Sequence, residues 1–244
     1  MSAENEIEVE QPSGPRIYTP WDDTTYAELS VPEYLAKTAT HRYAVSQQMD
    51  WTKNPDADNM LLGIPDVNPA DIGYEFHAHL TTFAKDEVRL DLTMASLLKE
   101  EVAEGHHTVL LDLSNMPGFE DPTGMNTVVY TDAGWTQLAA LVHHGGIENS
   151  HKPVRPGGHY KKHTILWDVI ARMDQSRKHM VALMINKAYA FSSDHPDWGP
   201  GLLAGCRWLN LAPAEERHLI GWIFMLNADF NDLEARYGKA RRVR

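Results

Sequence analysis

Cysteine is nearly absent from this sequence, and so are long apolar runs and an excess of basic residues. The only cysteine, Cys206, excludes a disulfide within the chain, so nothing in the cysteine usage indicates secretion. No apolar run reaches the roughly 18 residues that are needed to cross a bilayer. The net charge of -12 argues against nucleic-acid binding, which requires a basic surface. We therefore expect a cytoplasmic protein that binds neither nucleic acid nor membrane.

The common catalytic sequence motifs are also missing. The chain contains no Gly-x-Gly-x-x-Gly, no phosphate-loop lysine motif, no Gly-x-Ser-x-Gly and no His-Glu-x-x-His. Cys206 lies in an apolar segment next to Trp208, which indicates a buried, unreactive thiol rather than a nucleophile. The sequence thus offers no motif of a nucleotide-binding protein, a serine hydrolase or a zinc protease.

What the chain does have is the composition of a globular protein. Hydrophobic residues make up 43% and charged residues 23% of its 244 positions. Residues 1–20 are expected to form a flexible acidic arm, whose charge is the reverse of that of a signal peptide. Residues 21–237 are expected to form a single helical domain, and residues 238–244 a basic tail.

The predicted fold class is mainly α, a bundle-like domain of about five to seven helices. Capping residues and a three-to-four apolar spacing mark the helical segments, which are 30–48, 68–104, 132–142, 160–191, 202–210 and 213–237. Residues 107–114 and 127–130 are typical of strands instead. They are expected either to pair as a small two-stranded β ribbon or to pack on the helices. Residues 180–185 fit a strand as well as a helix.

Two polar residues lie on the apolar face of the long second helix. On a helical wheel, His79 and Glu87 fall within about 40° of the centre of the face that contains Phe83. A carboxylate in an apolar seam needs a partner. For Glu87 the sequence is compatible with either a metal ion or a core arginine. Glu101 and Glu104 fall on or near the same face, but are expected to lie where the helix emerges into water.

Five histidines fall between residues 143 and 163, in a segment that two Gly-Gly pairs and two prolines predict to be a loop. Neutral imidazoles there could bind a transition metal or transfer protons, and the candidates are His144, His151 and His163. Arg155 and the lysines near it could instead hold an anionic substrate. A pH-sensitive interface and a solvated loop are the other two interpretations.

The pattern Glu-x-x-His occurs three times, at Glu104/His107, Glu148/His151 and Glu215/His218. On a helix this spacing places a carboxylate and an imidazole on one face, as in bundles that bind pairs of iron or manganese ions. The segment 215–224, Glu-Glu-Arg-His-Leu-Ile-Gly-Trp-Ile-Phe, resembles the last helix of ferritin-like diiron carboxylate proteins. The resemblance implies a helical bundle with an iron site.

These patterns together predict a metal-dependent enzyme, a non-haem iron oxidoreductase acting on a small molecule. Its predicted metal ligands are His79, Glu87, Glu104, His107, Glu215 and His218. Its predicted cofactor is a transition metal, with iron preferred, and Arg155 would anchor the substrate. The alternative is a non-catalytic structural or assembly subunit of a homo- or hetero-oligomer, in which the acidic arm, the basic tail and the seven tryptophans contact other chains.

Overall fold

The chain forms two large antiparallel sheets. The computed structural model describes residues 7–10, 14–32, 34–38, 41–44, 49–66, 68–69, 73–142, 153–195 and 199–242. The first nine strands are β1 (Ile7–Glu10), β2 (Gly14–Thr19), β3 (Asp22–Ser30), β4 (Tyr34–Thr38), β5 (His41–Ala44), β6 (Met49–Lys53), β7 (Met60–Pro65), β8 (Tyr74–Ala84) and β9 (Glu87–Ser96).

Among its described residues, the second half of the chain supplies nine more strands and two helices. The strands are β10 (Val102–Asp112), β11 (Thr127–Thr131), β12 (Gly134–Gln137), β13 (His159–Tyr160), β14 (His163–Met173), β15 (His179–Ile185), β16 (Ala188–His195), β17 (Gly199–Leu211) and β18 (Glu216–Asn227). The helices are α1 (Leu138–Leu141) and α2 (Phe230–Ala240).

Each sheet draws strands from both halves of the chain. The eight-stranded sheet has the order β1-β2-β3-β10-β17-β16, with β4 paired to β10 and to β5. The ten-stranded sheet has the order β12-β11-β14-β15-β18-β9-β8-β7-β6, with β13 added beside β14. The long central pairings are antiparallel, which permits one buried and one solvated face.

Period-two alternation of apolar residues produces these strands and the core between the sheets. On β8, Tyr74, Phe76, Ala78 and Leu80 are buried, and the residues between them lie on the opposite face. The inner faces of the two sheets pack together as the main core. The result is a two-layer β sandwich, because each sheet buries its apolar face against the other.

Helix α2 covers part of the outer face of the ten-stranded sheet. Asp229 caps its first turn by accepting a hydrogen bond from the Asn231 amide at 2.9 Å. Leu233, Tyr237 and Ala240 are its buried residues, and they pack on the outer side chains of β14, β15 and β18. The outer faces of β8 and β9 belong to neither apolar core. No helix in the described ranges has the length and apolar character that crossing a membrane would require.

The mainly α prediction is wrong. The predicted helix 68–104 is largely the hairpin of β8 and β9, and the predicted helix 160–191 contains β14 and β15. The segment 202–210 lies within β17, and 213–237 divides into β18 and the start of α2. Of the segment 132–142, only Leu138–Leu141 is helical.

The strands predicted at 107–114 and 127–130 do occur, as parts of β10 and β11. They do not pair as a ribbon, because β10 lies in the eight-stranded sheet and β11 in the ten-stranded sheet. Residues 180–185 form a strand within β15 rather than a helix.

Candidate functional site

Acid and base groups of three neighbouring strands lie together on the outer face of the ten-stranded sheet, beside the area that α2 covers. It is formed by side chains of β8, β9 and β18, and we call it the histidine face. Its members are Glu75, His77, His79, Asp91, Thr93, Glu216 and His218.

The strand register aligns these side chains in rows across the three strands. His77 lies opposite Thr93, and Thr93 lies opposite His218. The neighbouring row places Glu75 and Glu216 on either side of β9. Directly opposed residues of antiparallel strands point to the same face, so the two glutamates and two histidines share one surface.

Two carboxylate–imidazole pairs form on this surface. His77 Nε2 lies 3.0 Å from Glu75 Oε1, and His218 Nε2 lies 2.8 Å from Glu216 Oε1. His218 Nδ1 also lies 3.1 Å from the Thr93 hydroxyl. In the neutral ring, Nε2–H of His218 donates to the glutamate and Thr93 donates to Nδ1. Each imidazole is therefore oriented by a carboxylate, as in acid–base catalytic sites.

The third row of the face holds His79 and Asp91, and Asp91 pairs with Arg89 of the next row. His79 lies opposite Asp91 and is exposed. Asp91 Oδ1 accepts hydrogen bonds from Arg89 Nε at 3.1 Å and from Nη2 at 2.5 Å. Arg89 Cζ also lies 5.8 Å from the ring centroid of Trp222. Arg89 therefore already has two partners, the Asp91 carboxylate and the Trp222 ring.

The face ends at an exposed aromatic side chain. Phe83 is 57% exposed, and its ring centroid lies 5.5 Å from that of Trp222. Trp222 is buried, and its indole N–H has no hydrogen-bond partner among the described residues. The face therefore offers hydrogen-bonding groups at one end and an apolar ring at the other.

Three of the six predicted metal ligands, His79, His218 and Glu87, lie on strands β8, β9 and β18. His79 is exposed to solvent, and the other two form ion pairs. His79 and His218 are both on the histidine face, in different rows of strands that do not adjoin. Glu87 lies at the start of β9 and accepts from Arg236 Nη1 at 3.2 Å, so its partner is an arginine. The face centred on Phe83 does not exist, because the segment is a hairpin and not a helix.

The other three predicted ligands lie apart. His107 is in the core between the sheets. Glu104 is on the same strand, β10, three residues before His107, and a helix-based pairing of the two does not apply there. Glu215 precedes β18 and accepts from the Ala212 amide at 2.8 Å. Its hydrogen bond from Arg217 holds the pKa of the Glu215 carboxyl below its usual value.

The predicted catalytic residues are also distributed. His144 and His151 lie outside the described residues, as does Glu148. His163 begins β14 with Nδ1 3.3 Å from Asp132 Oδ1. Arg155 is exposed on the other side of the sandwich.

The predicted non-haem iron oxidoreductase is wrong. Its ligand set required facing helices, and these segments are strands. No three His, Cys, Asp or Glu side chains group closely enough to hold a metal ion in the described part of the chain. Cys206 is buried, which raises the pKa of its thiol and keeps it protonated. The transition-metal cofactor itself stays a prediction, which elemental analysis of the purified protein tests.

Sequence reasoning missed most of the histidine face. It proposed His79 and His218 as site residues, but not Glu75, His77 or Glu216. A signal that would have found them is Glu-x-His, which occurs at 75–77, 104–106 and 216–218, and the first and last of these lie on the histidine face. On a strand, residues two apart share a face, so this spacing brings the two groups together.

No protein family description matches the chain, and no curated protein matches it. Several solved structures are similar at low identity. The Slr1438 protein from Synechocystis sp. PCC 6803 is 11% identical with a TM-score of 0.45, over 88% of this chain and 85% of that chain. A galactose mutarotase-like protein from Lactobacillus casei is 10% identical with a TM-score of 0.43, over 87% and 90%. An aldose epimerase homologue from C. elegans is 6% identical with a TM-score of 0.42, over 89% and 93%.

Likeness at this level assigns neither a family nor an activity to the chain. The resemblance of 215–224 to the last helix of ferritin-like diiron proteins is wrong, because that segment forms most of β18.

Proposed function

We propose that the histidine face binds a neutral saccharide and interconverts its anomers by acid–base chemistry. One observation carries the proposal. The pairs Glu75–His77 and Glu216–His218 flank β9 on one surface, with Thr93 between the two imidazoles. The two imidazoles are two strand spacings apart, about 10 Å, which leaves room for one sugar ring between them.

The groups on the face favour a neutral polyhydroxylated ligand. Its exposed carboxylates, Glu75 and Glu216, repel anions and accept hydrogen bonds from hydroxyl groups. Its arginine, Arg89, is already paired with Asp91, so it offers no free cation to an anionic ligand. Imidazoles and threonine hydroxyls both donate and accept, as sugar hydroxyls do.

The aromatic end of the face suits a further sugar unit. Phe83 packs on Trp222, which follows His218 by four residues on β18. Four residues of strand span about 13 Å, the scale of a second ring placed beyond the first. The exposed face of Phe83 can pack against the apolar C–H surface of a sugar.

The two carboxylate–imidazole pairs can move the protons that ring opening requires. One pair removes the proton from the O1 hydroxyl while the other protonates the ring oxygen. The bond between C1 and the ring oxygen breaks, its electrons remain on that oxygen, and C1–O1 becomes a carbonyl. Reclosure after rotation about the C1–C2 bond gives the other anomer and returns both protons. Positioned acid–base groups of this kind contribute roughly 10²–10⁴-fold to a rate.

Polarimetry with α-D-glucose and α-D-galactose tests the activity. We expect the protein to accelerate mutarotation, and His77→Gln or His218→Gln to reduce the acceleration at least tenfold. The matched control is His159→Gln. His159 is an exposed histidine on β13 whose Nδ1 lies 3.1 Å from the Thr164 hydroxyl, the geometry that His218 has with Thr93.

Saccharide binding without catalysis is a second candidate, which the openness of the face favours. The side chains of His218 and Glu216 are 63% and 53% exposed, whereas reacting groups are usually enclosed. Calorimetric titration with neutral mono- and oligosaccharides separates the two functions. Binding that His218→Gln abolishes, with no rate acceleration by the wild type, assigns a binding protein. If the wild type shows neither binding nor acceleration, the histidine face is not a saccharide site.

The remaining predictions extend this proposal. We propose that the partner is a small molecule, which the titrations above test. We also propose a cytoplasmic location, which fluorescent tagging of the full chain tests. A homo- or hetero-oligomer is likewise proposed, and light scattering of the purified protein measures it.

A further inference from the structure

A cationic cluster surrounds one tyrosine on the outer face of the eight-stranded sheet. Tyr189 lies on β16 where the register with β17 shifts. Arg155 Cζ lies 4.5 Å from its ring centroid, and Arg207 Cζ lies 5.4 Å from the same centroid. The ring of His106 meets it edge-on at a centroid distance of 5.9 Å. Two guanidinium groups and an imidazole thus share one phenol ring.

The cluster lies on the opposite side of the sandwich from the histidine face. His106 and Arg207 are directly opposed across β10 and β17. His107, which follows His106, and Cys206, which precedes Arg207, are both buried in the core. Because side chains alternate along a strand, His106 and Arg207 point outward. A ligand of this cluster is therefore independent of the proposed saccharide site.

Backbone hydrogen bonds fix Arg155 in place. Val154 and Phe191 exchange two of them, at 2.8 Å and 2.7 Å, which ties the segment to β16. The Arg155 amide donates to the Tyr160 hydroxyl at 2.7 Å, and the Arg155 carbonyl accepts from Gly158 at 2.8 Å. The backbone on both sides of the arginine is thus constrained, which limits where its guanidinium can lie. A group held in this way binds a ligand at a smaller entropic cost.

The charge of Arg155 is not balanced by a carboxylate. It is exposed and forms no ion pair with any side chain in the part of the chain that the structure describes. An arginine without a carboxylate partner is notable in a protein of net charge -12, in which carboxylates outnumber basic side chains. Arg155 contacts the Tyr189 ring, and a guanidinium carries five N–H donors with which it can bind an oxyanion.

We propose that Arg155 and Arg207 bind a tetrahedral oxyanion, a phosphate or sulfate group. Because both guanidinium carbons lie close to one centroid, they are at most about 10 Å apart. A phosphate group that accepts a bond of about 2.8 Å from each arginine bridges that span. The planar guanidinium fork matches such oxygens better than a lysine would.

The test is calorimetric titration of the full chain with inorganic phosphate and with inorganic sulfate. We expect saturable binding that Arg155→Gln and Arg207→Gln each weaken at least tenfold. Arg242→Gln is the matched control, because Arg242 is an exposed arginine near the end of α2, away from the cluster, and its loss removes the same net charge. We expect this control to bind as the wild type does.

Glucose 6-phosphate and inorganic phosphate, titrated separately, distinguish the source of the oxyanion. Tighter binding of the ester assigns a phosphorylated metabolite, and equal binding assigns the free ion. Thermal melting of each variant shows that it is folded. The proposal is overturned if phosphate and sulfate do not bind saturably, or if folded Arg155→Gln binds them as tightly as Arg242→Gln does.

Discussion

Trp208 donates its indole N–H to Nδ1 of His107 at 2.7 Å, inside the core between the two sheets. Because Nδ1 accepts this bond, the neutral ring carries its hydrogen on Nε2. Nε2 is buried and has no hydrogen-bond partner among the described residues. Burial, reinforced by the nearby His106, lowers the pKa of His107 from 6.5 to about 3. His107 is therefore a neutral core side chain at pH 7.

This pKa makes stability depend on pH. The unfolded chain protonates His107 near pH 6.5 and the folded chain only near pH 3, so folding stability falls as pH decreases through that interval. The full loss from this one group is at most about 5 kcal/mol. We expect His107→Gln, which keeps an acceptor for Trp208 but does not titrate, to lose less unfolding free energy between pH 7 and pH 4. Urea unfolding at the two pH values measures the difference, and equal losses in both proteins would contradict the prediction.

A second buried network centres on Arg172, which is fully buried. Its Nε donates to the Thr127 hydroxyl at 2.9 Å and its Nη1 to the Phe119 carbonyl at 3.1 Å, and Nη1 also pairs with Asp194. The Thr127 hydroxyl donates in turn to Asp121 Oδ2 at 2.7 Å. The network joins the loop before β11 to β14 and β16.

We expect Arg172→Met to lower the free energy of unfolding by about 3–5 kcal/mol, because it removes the cation that pairs with Asp194, whose side chain is only 11% exposed. Adding Asp194→Asn should restore part of the loss, since asparagine tolerates the left-handed backbone at this position (φ 44°). Arg177→Met, in an exposed turn, is the control and should change stability by less than about 0.5 kcal/mol. A loss below about 1 kcal/mol for Arg172→Met would show that the network is not required.

The hairpin of β8 and β9 shows why the fold class could not be read from apolar spacing alone. Phe76 and Leu80 are four residues apart, a spacing that both a helix and a strand place on one face. The deciding residue is Ala78, which is buried between them on a strand but would lie on the far side of a helix. Alternate residues of 88–96 are buried in the same way. The sequence therefore contains the alternation of a strand, but the helical interpretation did not count the small residue Ala78 as one of its apolar positions.

The histidine face was out of reach for a different reason. His218 was recognised as a candidate, but a helical geometry paired it with Glu215, whereas strand geometry pairs it with Glu216. Its other partner, Thr93, is 125 residues away in sequence. Only the register between β9 and β18 brings them together, and local sequence carries no record of that register.

Arg236 connects α2 to the hairpin of β8 and β9. Its guanidinium lies 2.6 Å from Asp86, 3.2 Å from Glu87 and 3.1 Å from Asp232. We expect Arg236→Gln to cost about 1–2 kcal/mol at low salt, and less at high salt, because the side chains involved are partly exposed. Unfolding at two ionic strengths measures this, with Arg242→Gln as the control. Losses that are equal for the two variants, or insensitive to salt, would contradict it.

Trp51 lies flat over Gly63, which is directly opposite it in the pairing of β6 and β7. A methyl group at Gly63 would lie 2.7–2.8 Å from three atoms of the indole ring. Replacing glycine by alanine restricts the unfolded chain, which stabilises a protein by up to about 1 kcal/mol where the residue fits. At Gly63 it does not fit, because the ring is buried and must move. We therefore expect Gly63→Ala to cost about 1–3 kcal/mol.

The control for this substitution is Gly205→Ala, in the interior of β17. A methyl group there meets only ordinary contacts, at 3.7 Å and 3.8 Å from Ala190. We expect Gly205→Ala to be neutral or slightly stabilising, since the entropy gain is not offset by a clash. Thermal unfolding of the two variants beside the wild type decides the matter. If Gly63→Ala were as stable as Gly205→Ala, the indole of Trp51 would have to leave Gly63 at no cost, and its packing would not stabilise this edge of the sheet.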